Sequence, residues 1–218
     1  MKFRFLRTAV LALCLVVCIA PLTAQAAGSA RETAQGQCLS ASKVKLKEDM
    51  RRLWMDHVTW TRNYIVSAVA GAPDQQKVLD RLLKNQQDIG NAIKPYYGEA
   101  AGNKLTELLR EHILLAGKIL DAAKKGNTAD MEKFNKEWYA NADMIAQFLA
   151  SANPNWPENT LKDLLYEHLR LVTEAVTTRL GQNWDADISA YDKGIDHIVV
   201  LADALSEGII KQFPDKFR

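Results

Sequence analysis

Cysteine is scarce in this chain, with three residues among 218. Cys14 and Cys18 lie in an N-terminal stretch that we expect to be removed, which leaves Cys38 as the only cysteine of the mature protein. A single cysteine excludes intramolecular disulfides, so packing, or packing plus a bound metal, must hold the fold together. Cys38 also precedes the helical part of the sequence, which argues against a Cys–His nucleophile.

Long hydrophobic runs are also few. Residues 9–20 form one uninterrupted apolar run, which is shorter than the roughly 20 residues that a membrane-spanning helix needs. Lys2, Arg4 and Arg7 precede this run, and Ala-Gln-Ala at 24–26 follows it. This order is typical of a signal peptide. We therefore predict a signal peptide over residues 1–26, an exported protein (periplasmic or extracellular), and no membrane span after the signal is removed.

An excess of either charge is absent. The full chain has 28 Lys+Arg and 26 Asp+Glu, and removal of residues 1–26 takes away three basic residues and no acid, which leaves a net charge of −1. A nucleic-acid surface requires an excess of clustered Lys and Arg. We therefore expect no nucleic-acid partner, and the sequence indicates no other partner.

Strand patterns and phosphate-binding loops are missing as well. No segment alternates apolar and polar residues, and no Gly-rich loop follows a strand. Residues 27–41 form a lead-in of small and polar residues without periodicity, and we expect it to be disordered. Beyond it, apolar residues recur at helical spacing almost to the C-terminus, with Pro or Gly near most breaks. The pattern predicts an all-α domain over residues 42–218, with helices at 42–70, 74–94, 99–125, 128–151, 158–181 and 185–212.

The six predicted helices group into three helical hairpins of about 55 residues. Their first helices align at 53–57, 108–112 and 164–168, and each aligned segment ends in an acid followed by histidine. Their second helices align more weakly, through Asp88, Asp143 and Asp196. This self-similarity indicates triplication of one hairpin. We predict an up-and-down bundle, either four helices with an extra pair against them or three hairpins around a pseudo-threefold axis.

Histidine is rare, with four residues, and an acid precedes each of them. Three recur at intervals of 55 and 56 residues on the apolar stripe of their helices, so their rings are expected to point inward. Imidazoles and carboxylates at one level form a suitable ligand set for Fe, Zn or Mn, and the carboxylates can also orient the rings. The alternative is that buried imidazoles only satisfy their own hydrogen bonds. The candidate metal ligands are His57, His112, His168, His197, Asp56, Glu111, Glu167, Asp88, Asp143 and Asp196.

Residues 53–62 carry the most specific motif, L-W-x-D-H-x-x-W-T-R. Together with the stretches at 85–90, 95–98 and 152–157, this motif resembles a family of small bacterial all-helical proteins of uncharacterised function. The resemblance covers about residues 45–215. It implies an all-α bundle and no established activity.

Three functional hypotheses follow from these observations. The leading one is an exported helical bundle that binds a transition metal through core histidines and acids. The second is a metal-free binding or scaffold module that uses an exposed helical face. The third is a metal-dependent redox or hydrolytic enzyme, which needs an open coordination position beside a pocket.

Overall fold

Five α-helices make up the part of the chain that the computed structural model describes, residues 40–218. They are α1 (Ala41–Ala70), α2 (Gln75–Lys124), α3 (Thr128–Ala152), α4 (Glu158–Leu180) and α5 (Trp184–Gln212), followed by a short 3-10 helix at Pro214–Phe217. Residues 40–218 contain no β-strand, so the prediction of an all-α fold is confirmed. The predicted signal peptide (1–26) and all but the end of the predicted lead-in (27–41) lie outside the described residues.

The main difference from the six predicted helices is α2, a helix of 50 residues that spans both the second and the third of them. Pro95 lies inside it and lacks the N–H that would continue the helical hydrogen bonds. Only Gly98 leaves the helical conformation, with φ 84° and ψ 170°, a region that glycine enters without the steric cost of a Cβ. A single residue, rather than a loop, therefore joins the two limbs of α2.

The two limbs of α2 pack against each other. A Cβ built on Gly90 would lie 2.5 Å from the carbonyl oxygen of Gly102, and one built on Gly102 would lie 2.6 Å from that of Gly90. Residues 12 positions apart in a straight helix are about 18 Å apart. The chain therefore reverses direction at Gly98, and two facing glycines allow the limbs to approach this closely.

The helices close into a ring. α1 packs against α2 and α5, α3 packs against α2 and α4, and α4 packs against α5. Arg51 pairs with Asp203 and Arg62 pairs with Asp187, so α1 and α5 run antiparallel. The prediction of a helical bundle is confirmed, whereas the count of six helices and the three-hairpin repeat are not. Over residues 40–218, none of the helices combines the length and the apolar character that a membrane crossing requires.

The interior of the bundle is mostly aliphatic and aromatic, so its few buried polar side chains stand out. They are His57, Ser67, Asn85, Gln86, His112, Asn141, Asn153, His168, Asp187 and Ser206. Buried polar groups are costly unless they form hydrogen bonds. Three of the four histidines belong to this set, and their contacts define the candidate site.

Candidate functional site

Three imidazole rings meet inside the bundle. His57 on α1, His112 on α2 and His168 on α4 are each at most 4% exposed. The Nε2 atoms of His57 and His168 lie 3.4 Å apart, and the centroids of these two rings lie 5.3 Å apart. The ring of His112 stacks on that of His168, with centroids 6.3 Å apart and planes inclined by 25°. Histidines from three distant parts of the sequence thus form one cluster.

Two tryptophans lie against this cluster. Trp54 meets His57 edge to face, with ring centroids 5.7 Å apart, and Trp138 is tilted over His112, with centroids 5.2 Å apart. Both indoles are buried. They shield the imidazoles from water, and their position makes tryptophan fluorescence a reporter of changes at the rings.

Gln86 determines which nitrogen of His57 carries the proton. Its amide nitrogen lies 3.2 Å from His57 Nδ1, 2.9 Å from the carbonyl oxygen of Leu82 and 3.1 Å from Asn85 Oδ1. The amide nitrogen has two hydrogens for these three acceptors, so at least one hydrogen is shared. Because this nitrogen accepts no hydrogen bond, His57 Nδ1 is unprotonated and the ring proton is on Nε2. That proton faces His168 Nε2, which must accept it. The proton of His168 is therefore on Nδ1, a buried atom without a hydrogen-bond partner among the described residues.

Asn141 places the ring proton of His112 on Nδ1, the nitrogen that is unprotonated in His57. Its Oδ1 accepts a hydrogen bond from His112 Nδ1–H at 2.8 Å, while its amide nitrogen donates to the carbonyl oxygen of Leu108 at 3.2 Å and to Glu111 at 3.3 Å. The two acceptors around the amide nitrogen settle the orientation of the side chain. His112 Nε2 therefore carries a free lone pair.

Burial keeps the three rings neutral. Burial lowers the pKa of His57 to about 3, with the charge of His112 as the second cause. Burial also lowers the pKa of His112 to about 4, although the hydrogen bond to Asn141 acts in the other direction. Burial, and then the charges of the neighbouring histidines, lowers the pKa of His168 well below its usual range. Neutral imidazole is the form that binds metal ions.

Gln86, Asn141 and His197 share one spacing, because each lies 29 residues after the buried histidine that precedes it. Gln86 and Asn141 contact that histidine directly, whereas the half-buried His197 donates from Nε2 to the carbonyl oxygen of Leu164 at 2.8 Å. Sequence reasoning missed Gln86 and Asn141 because it aligned the second helices on acids. The constant spacing of 29 residues is the signal that identifies them.

The acidic candidates lie outside the imidazole cluster. Four of them pair with cations: Asp56 with Arg81, Asp88 with Lys84, Asp143 with Lys162 and Glu167 with Arg170. Asp196 is exposed. Glu111 is exposed as well, and it reaches His112 only through Asn141. The structure thus brings together three candidates, all of them histidines.

In the described range, 40–218, no group of three or more His, Cys, Asp or Glu side chains is arranged to hold a metal ion. Two imidazole nitrogens are close together, and His112 adds a third ring beside them. No protein-family model, curated protein or solved structure matches the chain. The family resemblance of residues 53–62 therefore stays a prediction, and the function has to be argued from the site itself.

Proposed function

We propose that this protein is an exported helical bundle that binds one transition-metal ion through Nε2 of His57 and of His168, with His112 as the third ligand. The observation that carries the proposal is the 3.4 Å between the first two nitrogens. Two nitrogens bound at about 2.0–2.1 Å to a tetrahedral ion lie roughly 3.3–3.4 Å apart. Imidazoles without a carboxylate favour Zn over Mn, with Fe between them.

The tautomers of two rings already suit a metal. His112 Nε2 has a free lone pair because Nδ1–H donates to Asn141. His168 Nε2 has the lone pair that accepts from His57. A metal-ligating histidine needs its other nitrogen protonated, and a partner for that N–H raises the basicity of the ligand. Asn141 is such a partner for His112.

His57 requires one rearrangement. Its proton is on Nε2 while Gln86 donates to Nδ1, so metal binding moves this proton to Nδ1. The Oε1 atom of Gln86 is buried and has no hydrogen-bond partner within the described part of the chain. If the amide turns over, this oxygen accepts the hydrogen bond from His57 Nδ1–H. The amide nitrogen then gives up its bonds to the Leu82 carbonyl oxygen and to Asn85 Oδ1, which makes metal binding and amide orientation one coupled event.

A threefold repeat of the helical hairpin explains why the rings meet, and we include it in the proposal. The hairpins are α1 with the first limb of α2, the second limb of α2 with α3, and α4 with α5. In each pair, a side chain of the second helix donates to the carbonyl oxygen four residues before the buried histidine: Asn85 to Leu53, Asn141 to Leu108 and His197 to Leu164. Three such pairs around a pseudo-threefold axis bring three histidines to one level.

Titration of the purified protein, freed of metal by chelation, with Co²⁺ tests the proposal. We expect the visible spectrum of tetrahedral cobalt to saturate at one equivalent, together with quenching of tryptophan fluorescence. His57→Gln and His168→Gln are each expected to weaken binding at least 100-fold, and His112→Gln at least tenfold. His197→Gln is the matched control and is expected to bind as the unaltered protein does. Unchanged affinity in both His57→Gln and His168→Gln, with the fold intact by circular dichroism, contradicts the proposal.

A metal-free function is the second candidate, favoured by the hydrogen bonds that His57 makes with Gln86 and His168. In this case the imidazoles specify the packing of the core, and an exposed helical face binds a partner. Trp184 and Ile188, one turn apart on α5 and 50% and 55% exposed, are candidates for that face. This function predicts that neither a chelator nor 1 equivalent of Zn²⁺ changes the thermal unfolding midpoint.

A further inference from the structure

A cavity lies next to the histidine cluster, between α1, α2 and α4. Each of these helices contributes to its wall the residue four positions and the residue eight positions after its buried histidine. These six residues are Thr61, Ile65, Ala116, Leu120, Val172 and Val176. Four residues advance an α-helix by about 6 Å. The cavity therefore lies within the two helical turns that follow the imidazole rings.

Small side chains one turn after the histidines account for the cavity, because threonine, alanine and valine occupy these three positions. On the other side of the cluster, the residues seven positions before the histidines are the longer Met50, Leu105 and Leu161. The cavity that these longer side chains line has a volume of only about 10 Å³, against about 30 Å³ beside the small ones. The two sides of the cluster therefore differ in the space that they leave for a ligand.

The lining of the larger cavity favours an apolar ligand. Of the nine described side chains around it, seven are aliphatic, and the other two are those of Thr61 and Tyr64. A buried water molecule needs about two to four polar partners, whereas an apolar cavity stays dry and can take up apolar molecules such as xenon. A water-sized group needs at least about 10–15 Å³, so a volume of about 30 Å³ holds two such groups. Volume and lining thus fit an uncharged diatomic molecule.

We propose that this cavity binds one molecule of an apolar diatomic gas, such as dioxygen. Dispersion contacts with the aliphatic wall hold the gas, and these are the contacts that an empty cavity forfeits. The cavity needs no metal ion, so this proposal does not depend on the metal proposal. A gas molecule bound there lies in the layer of the core next to the imidazoles, so a metal bound by them would have it as a neighbour.

Xenon and dioxygen are the probes, and a chelator keeps the protein free of metal. A crystal pressurised with xenon is expected to show one anomalous xenon peak in the cavity, among Ile65, Ile113 and Val172. In solution, paramagnetic dioxygen is expected to raise the NMR relaxation rates of the methyl groups around this cavity several-fold more than those of Leu105 and Leu161. These two leucines line the smaller cavity on the other side of the histidines, so they are a control within the same molecule.

Ala116→Leu tests the cavity by filling it, and it is expected to abolish both the xenon peak and the difference in methyl relaxation. Ala100→Leu, at an exposed position of the same limb of α2, is the matched control and should keep both signals. Val172→Ile adds a single carbon and is expected to lower the xenon occupancy, which keeps the test usable if Ala116→Leu does not fold. Thr61→Val keeps the shape and removes the hydroxyl, so xenon should bind at least as tightly as in the unaltered protein.

Four results would each overturn the proposal. They are a pressurised crystal without xenon in the cavity, a water molecule in the cavity bonded to Thr61, equal relaxation effects on the two sides of the histidines, and a xenon peak that persists in a folded Ala116→Leu. Loss of xenon binding in a folded Thr61→Val would also contradict it, because an apolar ligand does not need the hydroxyl.

Discussion

Asn141 accepts the Nδ1–H of His112 at 2.8 Å, and this bond decides which nitrogen of His112 is left with a lone pair. Gln86 follows His57 by the same 29 residues but donates to His57 Nδ1, so it leaves the proton on the opposite nitrogen. Two amide side chains therefore set the protonation of two buried rings in opposite senses. Whatever the cluster binds, replacing these amides is expected to change its chemistry more than replacing the surface acids.

Asn141→Leu is expected to destabilise the protein and to weaken metal binding. The change leaves His112 Nδ1–H without its acceptor, and the Leu108 carbonyl oxygen loses one of its donors, so the free energy of unfolding should fall by about 2–3 kcal/mol. Loss of such a partner typically weakens metal binding about 10–100-fold. Guanidinium unfolding and Co²⁺ titration measure the two effects. Asn135→Leu, at an exposed position of the same helix, should change neither, and an equal loss in both variants would argue against a special role for Asn141.

Gln86→Glu is expected to tighten metal binding. A carboxylate accepts a hydrogen bond from His57 Nδ1–H without any rotation, so it removes the rearrangement that the amide requires. It also loses the bonds that the amide nitrogen donates to Leu82 and Asn85, so the free energy of unfolding of the metal-free protein should fall. Zn²⁺ affinity measured by competition with a chromophoric chelator should rise about tenfold, while Gln86→Leu should lower it. Equal affinities in the glutamate and leucine variants would show that residue 86 does not act on the metal through His57.

Stability is expected to fall as the solution becomes acidic. The pKa values of folded His57 and His112, about 3 and about 4, lie below the usual 6.5, so the unfolded chain binds protons that the folded chain does not. The stabilisation is complete above about pH 6.5 and is lost towards pH 4, by up to about 1.4 kcal/mol per pH unit for each ring. Guanidinium unfolding at pH 7, 6 and 5 measures this slope. The slope should be shallower in His112→Gln, because this variant has one buried imidazole fewer. Carboxylate titrations are common to both proteins and cancel in the comparison. Identical slopes would contradict this explanation.

Gly90→Ala is expected to destabilise the protein by about 2 kcal/mol or more, because its methyl group would meet the backbone of the facing limb of α2. Gly194→Ala is the matched control within a helix. Its Cβ would lie 3.8 Å from Val58, an ordinary contact, so alanine should stabilise by up to about 1 kcal/mol through its helix propensity. Thermal unfolding of both variants measures the difference. Equal stability in Gly90→Ala would mean that the two limbs of α2 are not in contact.

The helices were predictable because apolar spacing and the breaks at Pro and Gly are local signals. The predicted helices at 128–151 and 158–181 agree with Thr128–Ala152 and Glu158–Leu180 within one residue at each end. The kink of α2 was harder to predict. Pro95 and Gly98 indicate a break in the helix. Only the structure shows that Gly98 alone leaves the helical conformation, and that Gly90 packs on Gly102 because the chain reverses there.

The contacts of the histidines were only partly predictable. Their place on apolar stripes predicted inward-pointing rings, and the rings do lie inside the bundle. The acids before them lie about 100° further round each helix, and there Asp56 and Glu167 meet arginines instead. Asn141 shares the apolar stripe of its helix with Trp138 and Ile145, which indicates burial but not a histidine partner. For Gln86 and Asn141 alike, the contact with a histidine follows only from the 29-residue spacing together with the tertiary fold.

The most direct test of the account is a crystal structure of the protein grown with one equivalent of Zn²⁺, with data collected on both sides of the zinc absorption edge. We expect one anomalous peak in the interior, about 2.0–2.1 Å from Nε2 of His57 and of His168, with His112 turned towards it. A structure without an interior peak, in which His57 and His168 remain hydrogen-bonded to each other at 3.4 Å, would contradict the metal proposal.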